Sequence, residues 1–273
     1  MATDTQKVPT SEKTTRPRAL VTGASSGIGE EFAKQLAANG YDIVLVARRR
    51  DRLERVGGEL TGASVEIIES DLSTQAGVDS VIARIKRGDI NMLVNNAGFG
   101  TNGDFSDLPL DREMQEIDLN VRALTQLCHA ALAPMKAKHS GTIINVGSTG
   151  SYQPVPYMAT YAATKAYVLH LSEALHEEAK SYGVNVSCLC PGLTKTEFHE
   201  VAGVNTKSAA LRSGWATPAS VVKTALGAAK SGSAIAVPGT MNKGMTSLNR
   251  FFPRFMVRKI AGAMFKKNAD QMH

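Results

Sequence analysis

Tyr161 and Lys165 stand four residues apart in YAATK, a spacing that sets a phenol and an ammonium on one face of a helix. A tyrosine with its ordinary pKa of about 10 is a poor proton acceptor at neutral pH. A lysine cation beside it favours the phenolate, and the pair can then exchange a proton with a substrate oxygen. Alone the spacing decides little, because a chain with this many tyrosines and lysines is expected to hold roughly 0.35 such pairs by chance. Its companions carry the weight. Ser148 closes a predicted strand 13 residues earlier, Asn120 lies in IDLNVRAL on the predicted helix before that strand, and Asn95-Asn96-Ala97-Gly98 closes the fourth predicted strand.

A second group of residues has the chemistry of a phosphate cradle. Thr22-Gly23-Ala24-Ser25-Ser26-Gly27-Ile28-Gly29 follows the first predicted strand and opens a helical stretch, EEFAKQLAANG. Gly23 lets the chain turn sharply, Gly27 lets backbone approach a pyrophosphate, and Gly29 lets the helix pack close to the sheet. The helix N-terminus then offers unpaired N–H groups and the positive end of its dipole to phosphates. About 20 residues on, where an acid would read a free ribose 2′-hydroxyl, the chain has Ala47-Arg48-Arg49-Arg50. Guanidinium forks there suit a 2′-phosphate, which favours NADP over NAD. Arg50 and Arg55 can also be read as the solvated start of a helix.

These residues meet only if the elements that carry them share one sheet. Short apolar runs at 18–23, 41–47, 64–70, 91–96, 141–148, 184–190 and 234–239 read as strands covered on both faces. Helical patterns near 27–39, 50–60, 74–87, 111–137, 158–181 and 217–231 alternate with them. Such alternation predicts an α/β fold: a Rossmann-like, doubly wound, seven-stranded parallel sheet with helices on both faces. One domain over 18–240 is expected, preceded by a flexible polar tail (1–17) and followed by a basic amphipathic extension (241–273).

The Gly-x-x-x-Gly-x-Gly spacing, together with Asn120, Ser148, Tyr161 and Lys165, resembles the single-domain branch of the short-chain dehydrogenase/reductase family over about residues 18–240. The resemblance implies that these four form a catalytic tetrad. Ser148 would orient a substrate carbonyl and Tyr161 would exchange its proton. Lys165 would lower the tyrosine pKa and hold the nicotinamide ribose, and Asn120 would anchor a water relaying protons to Lys165. It also implies cofactor contacts from Gly23, Ser25, Ser26, Gly27, Ile28 and Gly29 at the turn, and from Arg48, Arg49, Asp71 and Leu72 toward the adenosine. Asn96, Ala97 and Gly98 would line the adenosine side; Pro191, Gly192, Leu193 and Thr194 would line the nicotinamide side, with Tyr161 and Lys165. Hydride passes directly between nicotinamide (as NADP or NADPH) and carbon in this family, so no metal is expected. The VLVARRRDRL and TKTEFHEVAG stretches and the basic tail resemble the bacterial DltE-like subgroup, itself similar to ketoacyl and 17β-hydroxysteroid reductases. That implies a lipophilic ketone, reduced by NADPH, as substrate. Pairing of the helices at 111–137 and 158–181 into a homodimer or homotetramer is a further implication. A non-catalytic NADP-binding sensor is the alternative, and an intact tetrad argues against it.

Charge and composition bound the rest. The net charge is +6, but residues 243–270 hold seven basic residues against one acid, and 24 of each sign cancel elsewhere. The body of the chain therefore gives no case for nucleic acid. Three cysteines, Cys128, Cys188 and Cys190, make no disulfide framework and fit the reducing cytoplasm as core thiols. The histidines show no metal-ligand spacing; His170 and His176 read as surface or interface residues, and His199 as a ligand neighbour. Tyr152, Tyr157 and Met158 are candidate pocket walls. Residues 194–216 read as a substrate-side loop whose Leu193, Phe198, Val201 and Trp215 form an apolar wall. In the tail, Phe252, Met256, Ile260 and Met264 recur every four residues. That stripe suits either an acidic membrane surface or packing over the pocket or a partner subunit.

Overall fold

β-Branched and leucine-rich runs become strands here because each pleat sends alternate side chains into two separate cores. The computed structural model describes residues 16–198, 202–203, 215–248 and 252–269. The strands are β1 (Arg18–Thr22), β2 (Asp42–Ala47), β3 (Val65–Glu69), β4 (Ile90–Asn95), β5 (Gly141–Val146), β6 (Val184–Leu189) and β7 (Ile235–Ala236). All pair in parallel, in the order β3-β2-β1-β4-β5-β6-β7. The winding reverses between β1 and β4, and the crevice at the carboxyl ends of these two strands is where such sheets take ligands.

On one face Val21, Ile43 and Leu45 pack against Phe32 and Leu36 of α1 (Gly27–Ala38), Leu53 of α2 (Arg50–Glu59) and Val221 of α7 (Pro218–Lys230). On the other, Leu20, Val44 and Val46 meet α3 (Gln75–Ile85), α5 (Leu124–Ala137) and α6 (Ala159–Lys180). β3 departs from the expectation of burial on both faces. It is an edge strand with no fully buried residue, which is why it tolerates Glu66 and Glu69. The last strand shrinks to two residues because Pro238 and Gly239 end the run.

The helix expected over 111–137 is interrupted. α4 (Leu110–Ile117) runs into a π-helical turn, Asp118–Ala123, before α5 begins. A π turn of this kind interrupts the α-helical ladder and is frequent at functional sites. Asn120 sits in that turn.

Arg16 and Pro17, at the end of the expected tail, are tied down: Arg16 donates to the carbonyls of Gly40 and Ala37, and Pro17 accepts from Asp42 N–H. Beyond β7, the extension forms α8 (Thr240–Leu248) and α9 (Arg254–Ala269). The rest of the tail, His199, Val201, most of the 194–216 loop and the side chain of Met264 lie outside the described residues.

Candidate active site

Along the carboxyl ends of the central strands runs a cavity of about 590 Å³. One end is the glycine turn. Gly23 and Gly27 have φ of +65° and +59°, and a Cβ on Gly29 would lie 2.2 Å from the Gly23 carbonyl oxygen. Ser26, at the N-cap of α1, makes no side-chain cap, and it lines the cavity with Gly27 and Ile28 at the start of the helix. Thr22 stiffens the cradle: its hydroxyl accepts from the N–H groups of Asn96 and Ala97, while the Asn96 amide donates to the Thr22 carbonyl at 2.9 Å. Backbone donors, space that a Cβ would fill and a helix N-terminus together fit a dinucleotide pyrophosphate.

Arg48 and Arg49 both border the cavity and both are exposed, but the structure organises them differently. Arg49 donates to the hydroxyls of Ser25 and Ser26, each at 3.1 Å, and pairs with Glu197 at 3.2 Å. Asp71 and Leu72 line the same end; Asp71 Oδ1 accepts from the Ser73 N–H and hydroxyl and so braces the turn into α3.

At the other end α6, the loop after β5 and the π turn converge. Ser148 caps the short 3-10 turn Thr149–Tyr152, its hydroxyl accepting from Gly150 N–H at 3.0 Å. Tyr161 lines the same cavity, within hydrogen-bond reach of Ser148. Burial pushes the phenol up to about 12, and hydrogen bonding with Ser148 offsets part of that shift. Lys165 is 5% exposed and donates to the Val146 carbonyl at 2.8 Å. Its Nζ is 5.8 Å from the centre of the Tyr161 ring. Burial pulls Lys165 down to about 8. Desolvation thus acts on both groups, disfavouring anion and cation alike.

Asn120 is buried, and both N–H donors of its amide are engaged. Its Oδ1 accepts from Phe99 N–H at 3.2 Å, and its Nδ2 donates to the Phe99 carbonyl at 2.9 Å and to Thr164 Oγ1 at 3.1 Å. Gly98 makes this approach feasible, since a Cβ there would lie 2.8 Å from Asn120 Oδ1 and 3.3 Å from Lys165 Nζ. Pro191, Gly192, Leu193 and Thr194 line the cavity after β6, and Ala97, Gly98 and Ile28 complete the walls.

Several residues that shape the site carry no sequence motif. Met241, Asn242 and Met245 of α8 close the cavity beyond Gly192, so the extension is part of the site rather than an appendage. Glu113 and Glu116 are buried behind the π turn, Glu116 accepting from the Thr101 N–H and hydroxyl at 3.0 Å each. Burial raises Glu116 to about 7, with Glu113 adding to the shift. Asn145, fully buried on β5, accepts from Asn95 at 2.9 Å and donates to Ser172 of α6 at 3.0 Å.

Other expectations are revised. Met158, Leu193 and Phe198 do line the cavity, but Tyr152, Tyr157 and Trp215 do not; Gln153 and Val155 take that place. His170 is exposed, whereas His176 turns inward and hydrogen-bonds to the Val186 carbonyl at 2.8 Å, because it lies on the face of α6 that covers β6. Phe252, Met256 and Ile260 are exposed; among the described residues of α9, Ala261 is buried and Gly262 lies near Pro156. All three cysteines are buried and free. Among the described residues no cluster suits a metal, and no helix is long and apolar enough to cross a membrane.

Comparison with known proteins agrees with this architecture. The family described as short chain dehydrogenase matches residues 17–206. An uncharacterized oxidoreductase of Staphylococcus epidermidis is 32% identical over 184 residues, covering 67% of this chain and 80% of the relative. A very-long-chain 3-oxoacyl-CoA reductase of Anas platyrhynchos is 32% identical over 192 residues, 67% of this chain and 62% of its own. Among solved structures, a short-chain dehydrogenase from Sphingobium yanoikuyae in complex with NADPH superposes with a TM-score of 0.78 at 31% identity, over 87% of this chain and 97% of that one. A bulky-bulky ketone specific alcohol dehydrogenase from Comamonas testosteroni gives 0.75 at 29% identity, over 86% and 92%.

Proposed function

Because the chain belongs to the short-chain dehydrogenase family, we propose that it is an NADP(H)-dependent oxidoreductase acting on a carbonyl or secondary alcohol, and a reductase of lipophilic ketones. The carrying observation is one cavity with Ser148, Tyr161 and Lys165 at one end and Arg48 and Arg49 at the other. Arg49, braced by Ser25 and Ser26, supports the choice of NADP, as does the lack of an acid between Ala47 and Arg50. Leu193, Phe198, Met158, Met241 and Met245 give the cavity an apolar wall, which supports a lipophilic substrate.

A bound reduced nicotinamide supplies the hydride equivalent that the carbonyl carbon receives. Ser148 orients the carbonyl by hydrogen bonding to its oxygen. Tyr161, held protonated by burial, donates the proton that completes the alcohol. Lys165, brought down to about 8, is poised to exchange protons near neutral pH. Asn120, whose two amide N–H donors are taken by Phe99 and Thr164, would anchor through an oxygen the water that relays protons to Lys165.

Two surfaces extend the reading. Leu110, Met114, Ile117 and Tyr167 leave apolar area exposed on α4 and α6, supporting a homodimer or homotetramer; light scattering tests it. Phe252, Phe255, Met256 and Ile260 stand exposed beside Arg254, Arg258 and Lys259, supporting peripheral contact of a cytoplasmic protein with an anionic membrane. Liposome flotation with and without residues 245–273 tests that; equal flotation excludes the tail as an anchor.

The decisive experiment is titration with NADPH and NADH of wild type, Arg49→Ala and Tyr161→Phe, followed by NADPH consumption over a carbonyl panel. Tighter NADPH than NADH binding, lost in Arg49→Ala, with turnover lost in Tyr161→Phe, upholds the proposal. NADPH binding without turnover of any carbonyl by wild type replaces it with the sensor reading.

A further inference from the structure

Thr196, Glu197 and Phe198 reach across the cavity from the chain after β6, and each touches a different part of the site. The place a Gly27 Cβ would take lies 3.0 Å from the Thr196 methyl, so Thr196 covers the glycine turn. The Phe198 ring packs on Tyr161 with centroids 5.3 Å apart. Between them the Glu197 carboxylate accepts from Arg52 Nη1 at 2.6 and 2.8 Å and from Arg49 at 3.2 Å. Hydrogen bonds from Arg52, and then Arg49, hold the Glu197 carboxyl below the usual range, so it is an anion at neutral pH.

We propose that Glu197 is a specificity-determining residue: an internal anion on the guanidinium forks of Arg49 and Arg52 that the cofactor's 2′-phosphate must displace, and whose displacement frees the Thr196–Phe198 segment beside Tyr161. The proposal rests on reading Arg49 as a 2′-phosphate contact. Carboxylate and phosphate monoester compete for the same planar fork. A nucleotide with a free 2′-hydroxyl brings no charge to that fork and leaves Glu197 in place. Arg49 spans both sides of the exchange, since its other Nη donates to Ser25 and Ser26 beside the pyrophosphate turn. The 2′-phosphate and the position of Phe198 are then linked, and the linkage is reciprocal. Glu197 is about 43% exposed, so the competition is partly screened by solvent.

Adenosine 2′,5′-bisphosphate and 5′-AMP separate these effects without turnover. Both are titrated by calorimetry into wild type, Glu197→Gln and Arg49→Ala, and the emission of Trp215, the sole tryptophan, is followed. Trp215 precedes Ala216, whose bridge to Thr194 begins the segment. Glu197→Gln is expected to bind the bisphosphate about two- to fivefold more tightly than wild type, with 5′-AMP affinity unchanged. The bisphosphate, but not 5′-AMP, is expected to shift Trp215 emission in wild type. If Arg49→Ala retains the wild-type preference for the bisphosphate, the underlying cofactor reading fails. If Arg49→Ala loses that preference while Glu197→Gln matches wild type, or Trp215 does not respond, the role of Glu197 is overturned and the cofactor reading stands.

Discussion

The Lys165 ammonium donates to the Val146 carbonyl at 2.8 Å, which fastens the cation of α6 to the end of β5. The contact positions the amine beside Tyr161, but it supplies one partner to a group able to donate three hydrogen bonds. Burial therefore dominates and lowers its pKa from 10.5 to about 8.

A lysine with a depressed folded pKa binds fewer protons in the native state than in the unfolded chain between about pH 8 and 10.5. Its effect on stability is thus least adverse above pH 10.5 and worsens as pH falls to about 8. Lys165→Met is expected to flatten this dependence and to raise stability at pH 7 by about 1–3 kcal/mol, while turnover falls by at least ~100-fold. Urea unfolding at pH 7 and 10, beside an activity assay, checks both; a variant less stable than wild type at pH 7 contradicts the argument.

Glu116 has the opposite sign. Its folded pKa is raised to about 7, so its contribution is fully present below about pH 4.5 and is lost as pH rises through about 7. Glu116→Gln keeps an acceptor for Thr101 and removes the titration. Melting curves from pH 5 to 8 should show wild type losing about 1–3 kcal/mol relative to the variant. Parallel curves would mean that Glu116 stays charged throughout.

Close approach, rather than backbone conformation, demands glycine at position 29. A Cβ there would sit 2.2 Å from the Gly23 oxygen and 2.5 Å from Asn96 Nδ2, both in the phosphate cradle. Gly29→Ala is expected to cost about 2–4 kcal/mol and to abolish nucleotide binding. Gly227, inside α7 with open space where its Cβ would be, is the contrast: Gly227→Ala should gain about 0.5–1 kcal/mol. Thermal unfolding of the two variants decides whether clash or chain entropy rules at each glycine.

Asn145 joins β4, β5 and α6 through Asn95 and Ser172. Asn145→Ala strands buried partners, and a loss of about 2–4 kcal/mol is expected. If denaturant midpoints move by less than a quarter of that, the network is not what holds α6 against the sheet.

What the sequence determined by itself was local. The glycine turn, the Tyr161/Lys165 spacing and the strand–helix alternation each depend on residues within one turn or one element, where backbone geometry dictates what spacing means. The parallel direction of the strands follows because a helix crosses over between successive strands. Tertiary structure decided everything that depends on which face of an element is covered. It turned His176 toward β6, buried Glu113 and Glu116 behind the π turn and brought α8 onto Gly192. It also set Glu197 on Arg52, 145 residues away in the chain. No periodicity encodes such contacts, because polar residues at non-local contacts obey no spacing rule. Their burial and charge state exist only once two distant segments have closed on each other.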